Sequence, residues 1–310
     1  EIASCLVGSE MCIRDRGTAA LLSASLGGWI AGILSDRYGR VRILVFTICW
    51  FTAFGALAGF AQSYEQMLVL RTLQGLGFGG EWAVGAALMA EVIRPEHRGK
   101  ALGFVQSGFA IGWALAAVVM TALLANLPAE TAWRIAFWVG VIPAMFVLFV
   151  RRHVKDPEIY RQAASQVTKK ASLASAFGPD VVRLTLLGAM LVSGLQAAAY
   201  TIMVWLPTLM VQVRGLRPGP VVVTMLIMCA GAFAGFILTA YLADRFGRRP
   251  ALLAFCLGAW LFTMLYMLVP MSPTALMLMS FPVGLFATGI FAVIGPFLSE
   301  LFLSLIHISE

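Results

Sequence analysis

The sequence predicts an all-α integral membrane protein built from two pseudo-symmetric helix bundles. Of its 310 residues, 60% are hydrophobic and only 12% are charged, whereas soluble domains average about 45–50% apolar and about 25% charged residues. Apolar stretches near bilayer length recur along the chain, and one polar loop pattern occurs twice. A water-soluble globular protein is excluded, because a chain of this size needs a polar exterior that this composition does not supply.

Nine apolar stretches approach the roughly 17–25 residues that a membrane-spanning helix needs. They predict spans at about 17–35, 43–61, 67–90, 100–124, 133–150, 181–205, 220–240, 251–269 and 274–299. The polar segment 151–180 separates five spans from four. We therefore expect a first bundle over 17–150, a cytoplasmic linker over 151–180 and a second bundle over 181–302.

The basic residues give the predicted orientation. The net charge of +7 could suggest nucleic-acid binding, but that function needs basic residues gathered on one face of a folded domain. Here 15 Lys and Arg residues lie in one set of alternate loops, and the other set holds two, Arg214 and Arg217. Cytoplasmic loops are the Lys- and Arg-rich ones, so the sequence predicts a multi-pass protein of the inner (plasma) membrane and no nucleic-acid partner.

The two ends of the chain have an unusual relation at the DNA level. Residues 6–16 and 303–310 can be encoded by opposite strands of the same short DNA, as in a sequencing adapter read on both sides of an insert. We therefore expect segments 1–16 and 303–310 to be non-native and excluded from fold reasoning. The remaining fragment, 17–302, is expected to be truncated at both ends.

An internal repeat supports the two-bundle prediction. The loop GILSDRYGRVR at 32–42 recurs as AYLADRFGRRP at 240–250, and both copies share Asp-Arg-aromatic-Gly-Arg. Asp36 is followed by Glu91 after 55 positions, and Asp244 by Glu300 after 56. Offsets of 208 and 209 residues between halves indicate a duplicated transporter bundle.

The repeated loop resembles that of the major facilitator superfamily. This resemblance implies a twelve-helix fold, of which about nine helices (family helices 2–10) are present here. It also implies a cytoplasmic gate, in which the loops and the glutamates that follow them latch the bundles. Because a carboxylate at the carboxyl end of a helix is unfavourable beside the helix dipole, we expect Glu91 and Glu300 to pair with the loop arginines; a solvated helix end is the alternative. Ala240 replaces the family's leading glycine in the second copy. The implied gate residues are Asp36, Arg37, Gly39, Arg40, Glu91, Arg98, Asp244, Arg245, Gly247, Arg248 and Glu300.

Segment 71–100 resembles the fourth helix of metabolite:proton symporters in that superfamily, including sialate and monocarboxylate carriers. Arg71, Gln74 and Glu81 fall within an arc of about 80° on one side of a helix, and about 15 Å separates Arg71 from Glu81 along its axis. Placing a charge at membrane depth costs free energy, so an ionisable residue there indicates a functional role. Glu81 fits proton or substrate coupling or a structural ion pair, and Arg71 fits anion binding, coupling or snorkelling to the interface.

Other polar residues within the apolar stretches are candidates for the solute cavity. Gln106, Gln196 and Tyr200 fit a cavity lining, with hydrogen bonding between helices as the alternative. Trp133 and Arg134 fit an anchor at the outer interface. Gly99, Gly103, Gly108 and Gly112 form two GxxxG pairs, which favour close helix packing.

No phosphate loop, metal-ligand spacing or nucleophile–base arrangement occurs in the sequence, so we expect no enzyme, cofactor or metal. The predicted function is secondary transport of a small organic solute, an organic acid or a sugar, by alternating access with proton symport. A multidrug or metabolite exporter and a transporter-like receptor are the alternatives. Segment 108–117 lacks the proline expected of a drug exporter. The expected partners are the solute, protons and lipid, and the protein is expected to be a monomer.

Overall fold

The described part of the chain consists of helices and short connections with no strand, which confirms the predicted all-α fold. The computed structural model describes residues 10–94, 97–145, 182–212, 214–215 and 218–298, with the backbone alone for 10–16, Ala90, Arg98 and Pro218. The helices are α1 Glu10–Tyr38, α2 Arg40–Ala58, α3 Tyr64–Val92, α4 Arg98–Asn126, α5 Ala129–Val139, α6 Val182–Gln212, α7 Pro218–Phe246, α8 Arg248–Leu268 and α9 Pro273–Gly289, with a 3-10 turn at Ile142–Met145. Helical structure resumes at 291–298. The linker 151–180, Glu300 and segments 1–9 and 303–310 lie outside the described residues.

Each predicted span overlaps one of these helices. Seven helices of the described chain are long and apolar enough to cross a membrane, judged by length and composition. The other two are α3 and α5. Helix α3 has 29 residues, but its glycines, Arg71, Gln74 and Glu81 lower its hydropathy. Helix α5 has 11 residues, and 146–150 lie outside the described part.

The chain forms two compact units. The first comprises Glu1–Val92 and Val119–Leu173, and the second comprises Ile93–Val118 and Ala174–Glu310. Helix α4 thus changes unit along its length: its first part packs with the second unit, and its last turns belong to the first. The predicted bundles, 17–150 and 181–302, follow the order of the duplicated segments along the sequence. These limits stay a prediction.

The first and third helices of each duplicated segment approach each other backbone to backbone. A Cβ atom added to Gly27 of α1 would overlap the carbonyl of Leu76 in α3, and one added to Gly235 of α7 would overlap the carbonyl of Leu285 in α9. These pairs are related by the offsets of 208 and 209. Gly75 and Gly284 repeat the contact in the other direction, against the carbonyls of Ala20 and Met228. Both units are therefore assembled by the same glycine contacts.

The glycine pairs of α4 have different surroundings. In the second unit, a Cβ on Gly103 would lie 2.5 Å from the Cβ of Ala240. Gly103 thus provides the space that Ala240, in place of the family's glycine, takes up. A Cβ on Gly108 or Gly112 would meet nothing within 4 Å among the described residues. The described structure therefore accounts for the first GxxxG pair through packing and not for the second.

An arginine binds the carbonyl end of the helix that follows each repeated loop. In the first unit, Arg134 Nη1 donates to the carbonyl oxygens of Gly59 and Ala61, both at 2.9 Å, just beyond α2. In the second unit, Arg214 Nη2 donates to the carbonyl oxygen of Met267 in α8 at 3.2 Å. The terminal carbonyls of a helix lack intrahelical donors and carry partial negative charge. At each of these helix ends, an arginine supplies both the missing N–H donors and a positive charge.

We expect Gly79→Ala to destabilise the first unit, whereas Gly85→Ala on the same helix is tolerated. A Cβ at Gly79 would overlap the carbonyl of Ala24 in α1, while one at Gly85 would lie 3.9 Å from Leu44 Cδ1, an ordinary contact. Overpacking costs about 1–3 kcal/mol, and Ala in place of a helical Gly gains roughly 0.5–1 kcal/mol. Unfolding in mixed micelles measures both effects, and equal stability of the two variants would contradict the packing described here.

Candidate functional site

Arg71 and Gln74 form one hydrogen-bonded pair on α3. Arg71 Nη1 donates to Gln74 Oε1 at 3.1 Å, and both side chains are half-buried. The Arg71 guanidinium also lies over the ring of Phe137 in α5, with 4.7 Å between its Cζ atom and the ring centroid. Gln74 packs against Gly55 of α2, where an added Cβ would lie 2.8 Å from Gln74 Nε2. Arg71 is therefore held between two other helices and does not extend alone.

Glu81 stands apart from this pair. It lies ten residues along α3, about 15 Å from Arg71 by helix rise, and it is half-buried. Within the described residues its carboxylate has no ion pair and no hydrogen-bonding side chain. The structure thus brings two of the three predicted α3 residues together and leaves the third separate.

The predicted cavity residues all belong to the second unit. Gln196 and Tyr200 lie one turn apart on α6 and are hydrogen-bonded through their side chains. Gln106 lies on α4, and all three residues are half-buried. The bond between Gln196 and Tyr200 lies within one helix, so it differs from the interhelical bonding that was the alternative.

Arg40 is the centre of the first repeated loop. Its Nε and Nη2 atoms both donate to Glu91 Oε1, at 3.0 and 2.8 Å. Its Nη1 atom pairs with Asp36 Oδ1 at 2.5 Å and donates to Ser35 Oγ at 2.6 Å. One guanidinium therefore joins the end of α1 to the end of α3. The pairing expected for Glu91 is present, and Ser35 is a partner that the motif did not indicate.

The second repeated loop has the equivalent pair. Arg248 Nη1 donates to Asp244 Oδ1, and the two side chains are 13% and 9% exposed. Gly99, in the first turn of α4, packs directly on this pair and leaves no space for a Cβ. The carboxylate thus faces the amino-terminal end of α4, where backbone N–H groups favour negative charge. Glu300, the expected partner, lies outside the described residues.

The glycines and the second arginines of the loops also match. Gly39 and Gly247 have φ angles of 105° and 95°, which strain any residue with a Cβ, and each forms a one-residue turn between consecutive helices. The guanidinium groups of Arg37 and Arg245 each lie 5.4 Å from the ring centroid of the next residue, Tyr38 and Phe246. Among the remaining predicted gate residues, the Arg98 side chain is outside the described part.

The interfacial-anchor prediction for Trp133 is wrong. Trp133 is only 9% exposed and packs with Ala58, Ala61 and Met67 in the core of the first unit. Burial is favoured because Arg134, stacked on the ring at 4.4 Å, binds the nearby α2 carbonyls. Phe137 was missed altogether, since nothing in an apolar sequence marks which phenylalanine meets an arginine.

Known membrane transporters resemble this chain in sequence and in fold. The family model for the Major Facilitator Superfamily matches residues 16–304. The chain belongs to the major facilitator superfamily. It is 60% identical over 286 residues to the "Probable 4-methylmuconolactone transporter" of Cupriavidus pinatubonensis, covering 92% of this chain and 67% of that protein. It is 29% identical to the 3-(3-hydroxy-phenyl)propionate transporter of Escherichia coli, over 88% of this chain and 65% of the relative.

Solved structures show the same fold. The proton:xylose symporter XylE matches with a TM-score of 0.74 and 19% identity, over 92% of this chain and 71% of that one. As a member of this superfamily, the chain is a multi-pass transporter of the inner membrane and not an enzyme. It spans about two thirds of the length of the relatives it matches first.

We expect Arg40 and Glu91 to be strongly coupled in a double-mutant cycle. Two charge-assisted hydrogen bonds join them, and their side chains are 15% and 25% exposed. Arg40→Gln combined with Glu91→Gln should give a coupling energy of about 1 kcal/mol or more. The matched cycle with Asp36→Asn should give less, because Asp36 is 43% exposed and solvent screens such pairs. Unfolding in mixed micelles measures both cycles; equal couplings would contradict this ranking.

Proposed function

We propose that this protein imports a small organic acid of the lactone or unsaturated carboxylate class by proton symport. The observation that carries the proposal is the 60% identity to a protein named as a probable 4-methylmuconolactone transporter. A more distant relative, 28% identical, is named as a cis,cis-muconate transport protein of Acinetobacter baylyi. These names, with that of the phenylpropionate carrier, denote carboxylic acids. A carboxylate group is thus the feature that the solutes of these relatives share.

Arg71 suits the binding of such a carboxylate. A guanidinium presents its N–H donors in a plane that matches the two oxygens of a carboxylate. The ring of Phe137 and the amide of Gln74 limit the positions that this guanidinium can adopt. Because a binding group that is already ordered loses less entropy when the solute arrives, a held arginine is better suited to this role than a mobile one.

Glu81 suits the coupling of proton movement to solute movement. A carboxylate at membrane depth costs at least about 2.5–3.5 kcal/mol on insertion scales. The described residues supply no cation that would hold Glu81 ionised, so it can exchange a proton as its surroundings change. We assign Glu81 the proton, Arg71 the carboxylate, and Gln74, Gln106, Gln196 and Tyr200 hydrogen bonds to the solute.

The duplication supports a functional reading of the α3 charges. The positions 209 residues after Arg71, Gln74 and Glu81 are Ser280, Val283 and Ile290, which are 0%, 1% and 5% exposed. The second copy of this helix therefore packs with small or apolar residues at the three sites. The duplicate helix α9 thus packs without an arginine, a glutamine or a glutamate at these positions. Their presence in α3 therefore favours a role in transport.

The ion pairs of the repeated loops suit a gate in an alternating-access cycle. In such a cycle the two halves rock about a central site, and the solute can shift the balance only by binding one state more tightly. The pairs of Arg40 with Glu91 and of Arg248 with Asp244 lie at helix ends, where water can replace a broken contact. We propose that these contacts stabilise one of the two states.

Uptake by the full-length protein in proteoliposomes tests the proposal. Labelled 4-methylmuconolactone should accumulate when a proton gradient is imposed, and Glu81→Gln should abolish accumulation while exchange of solute across the membrane persists. Glu65→Gln is the matched control, because Glu65 is exposed in the first turn of the same helix. Accumulation that remains proton-driven in Glu81→Gln would remove Glu81 from the mechanism. Uptake of xylose but not of the acid would overturn the solute class.

A further inference from the structure

Four side chains of the first unit form a continuous stack of cations and rings. The Arg134 guanidinium lies 4.4 Å from the ring centroid of Trp133. Trp133 meets Phe137 edge to face, with 6.0 Å between ring centroids and 89° between planes. Phe137 in turn lies 4.7 Å from the Arg71 guanidinium. The stack therefore links the carbonyl end of α2 to the candidate carboxylate-binding arginine.

The Arg134 end of the stack is fixed by the backbone. Arg134 donates two hydrogen bonds of 2.9 Å to the carbonyls of Gly59 and Ala61. Trp133 is only 9% exposed and packs in the core of the unit. Phe137 also packs against that core. A ring held in this way has little freedom to move with the side chain that it contacts.

The Arg71 end is constrained by one ring and one amide. A ring beneath a guanidinium attracts it through the π-system, and this contact uses none of the N–H donors, which lie in the guanidinium plane. Gln74 accepts one hydrogen bond in that plane and is itself packed on Gly55. The contacts with Phe137 and Gln74 thus restrict where the Arg71 guanidinium can lie.

We propose that Phe137 is a positioning residue that holds the Arg71 guanidinium in place for carboxylate binding, with Trp133 and Arg134 as its support. This inference rests on the proposed function, in which Arg71 binds the solute carboxylate. The stack gives α5 a part in solute recognition. It also gives solute affinity a dependence on a ring that bears no charge and donates no hydrogen bond.

Transport kinetics of the full-length protein test the role of Phe137. We expect Phe137→Leu to raise the KM for the carboxylate solute on the order of fivefold, because the released arginine must be ordered when the solute binds, and to change kcat less than twofold. Phe137→Trp should restore most of the affinity, because Trp is the strongest partner for a cation. Phe54→Leu is the matched control, since Phe54 contacts the Trp50 ring at 4.7 Å and no cation is described against it.

A ring-fluorinated phenylalanine separates the electrostatic effect from packing. Trifluorophenylalanine at position 137 keeps nearly the same shape but weakens the attraction for a cation, so KM should rise although the protein folds normally. The methyl ester of the solute should show no such rise, because it has no carboxylate for Arg71. This substitution keeps the test decisive if Phe137→Leu fails to fold.

The outcomes distinguish this inference from the proposed function. A rise in KM for Arg71→Gln, with no change for fluorinated Phe137, would overturn the positioning role and leave the carboxylate site intact. An unchanged KM for Arg71→Gln would remove Arg71 as the carboxylate site, and the inference would fail with it. Equal rises for the acid and its methyl ester would show that Phe137 acts through packing alone.

Discussion

Hydrocarbon does not solvate an ion, and this constraint determines where charge occurs in the described chain. The ion pairs of the repeated loops lie at helix ends, where Arg40 and Arg248 each bind the aspartate one turn before them. At the opposite ends of α2 and α8, Arg134 and Arg214 bind backbone carbonyls that would otherwise lack donors. Between its charged ends, each unit is held together by glycine contacts and apolar side chains. A charge in the middle of a helix therefore needs a separate explanation.

The duplication explains most of the architecture through a few repeated contacts. Gly27 and Gly235 allow the same close approach of their helix to its partner, and Gly39 and Gly247 allow the same one-residue turn. The copies differ where function is expected. Arg71 and Glu81 in the first copy correspond to buried Ser280 and Ile290 in the second. Similar packing in both copies, with charge in only one, is the arrangement expected when the shared fold supplies structure and one copy supplies the charged groups of the site.

Sequence reasoning predicted what depends on local pattern and missed what depends on tertiary contact. Hydropathy placed the helices, and the Asp-Arg-aromatic-Gly-Arg motif located both turns and their ion pairs, because these are properties of short segments. Trp133 was assigned to the lipid interface, since a tryptophan at a span end usually lies there. Its burial depends on Arg134, which binds the carbonyl of Ala61 just beyond α2. Ala61 lies 73 positions before Arg134 in the sequence. The contact of Phe137 with Arg71 could not be predicted either, because several phenylalanines lie in similar apolar sequence.

Arg71 and Glu81, the two charges away from the ends of α3, suit different tasks because their surroundings differ. Arg71 lies against the ring of Phe137 and donates to the amide of Gln74, so its position is restricted before any solute arrives, and a preordered donor binds with little loss of entropy. Glu81 has no cation beside it in the described chain. That arrangement would be poor for a structural role but suits a group that must gain and lose a proton, since a permanent cation would hold the carboxylate ionised. One helix can thus carry an anion site and a proton site without the two neutralising each other, because about 15 Å of rise keeps them apart.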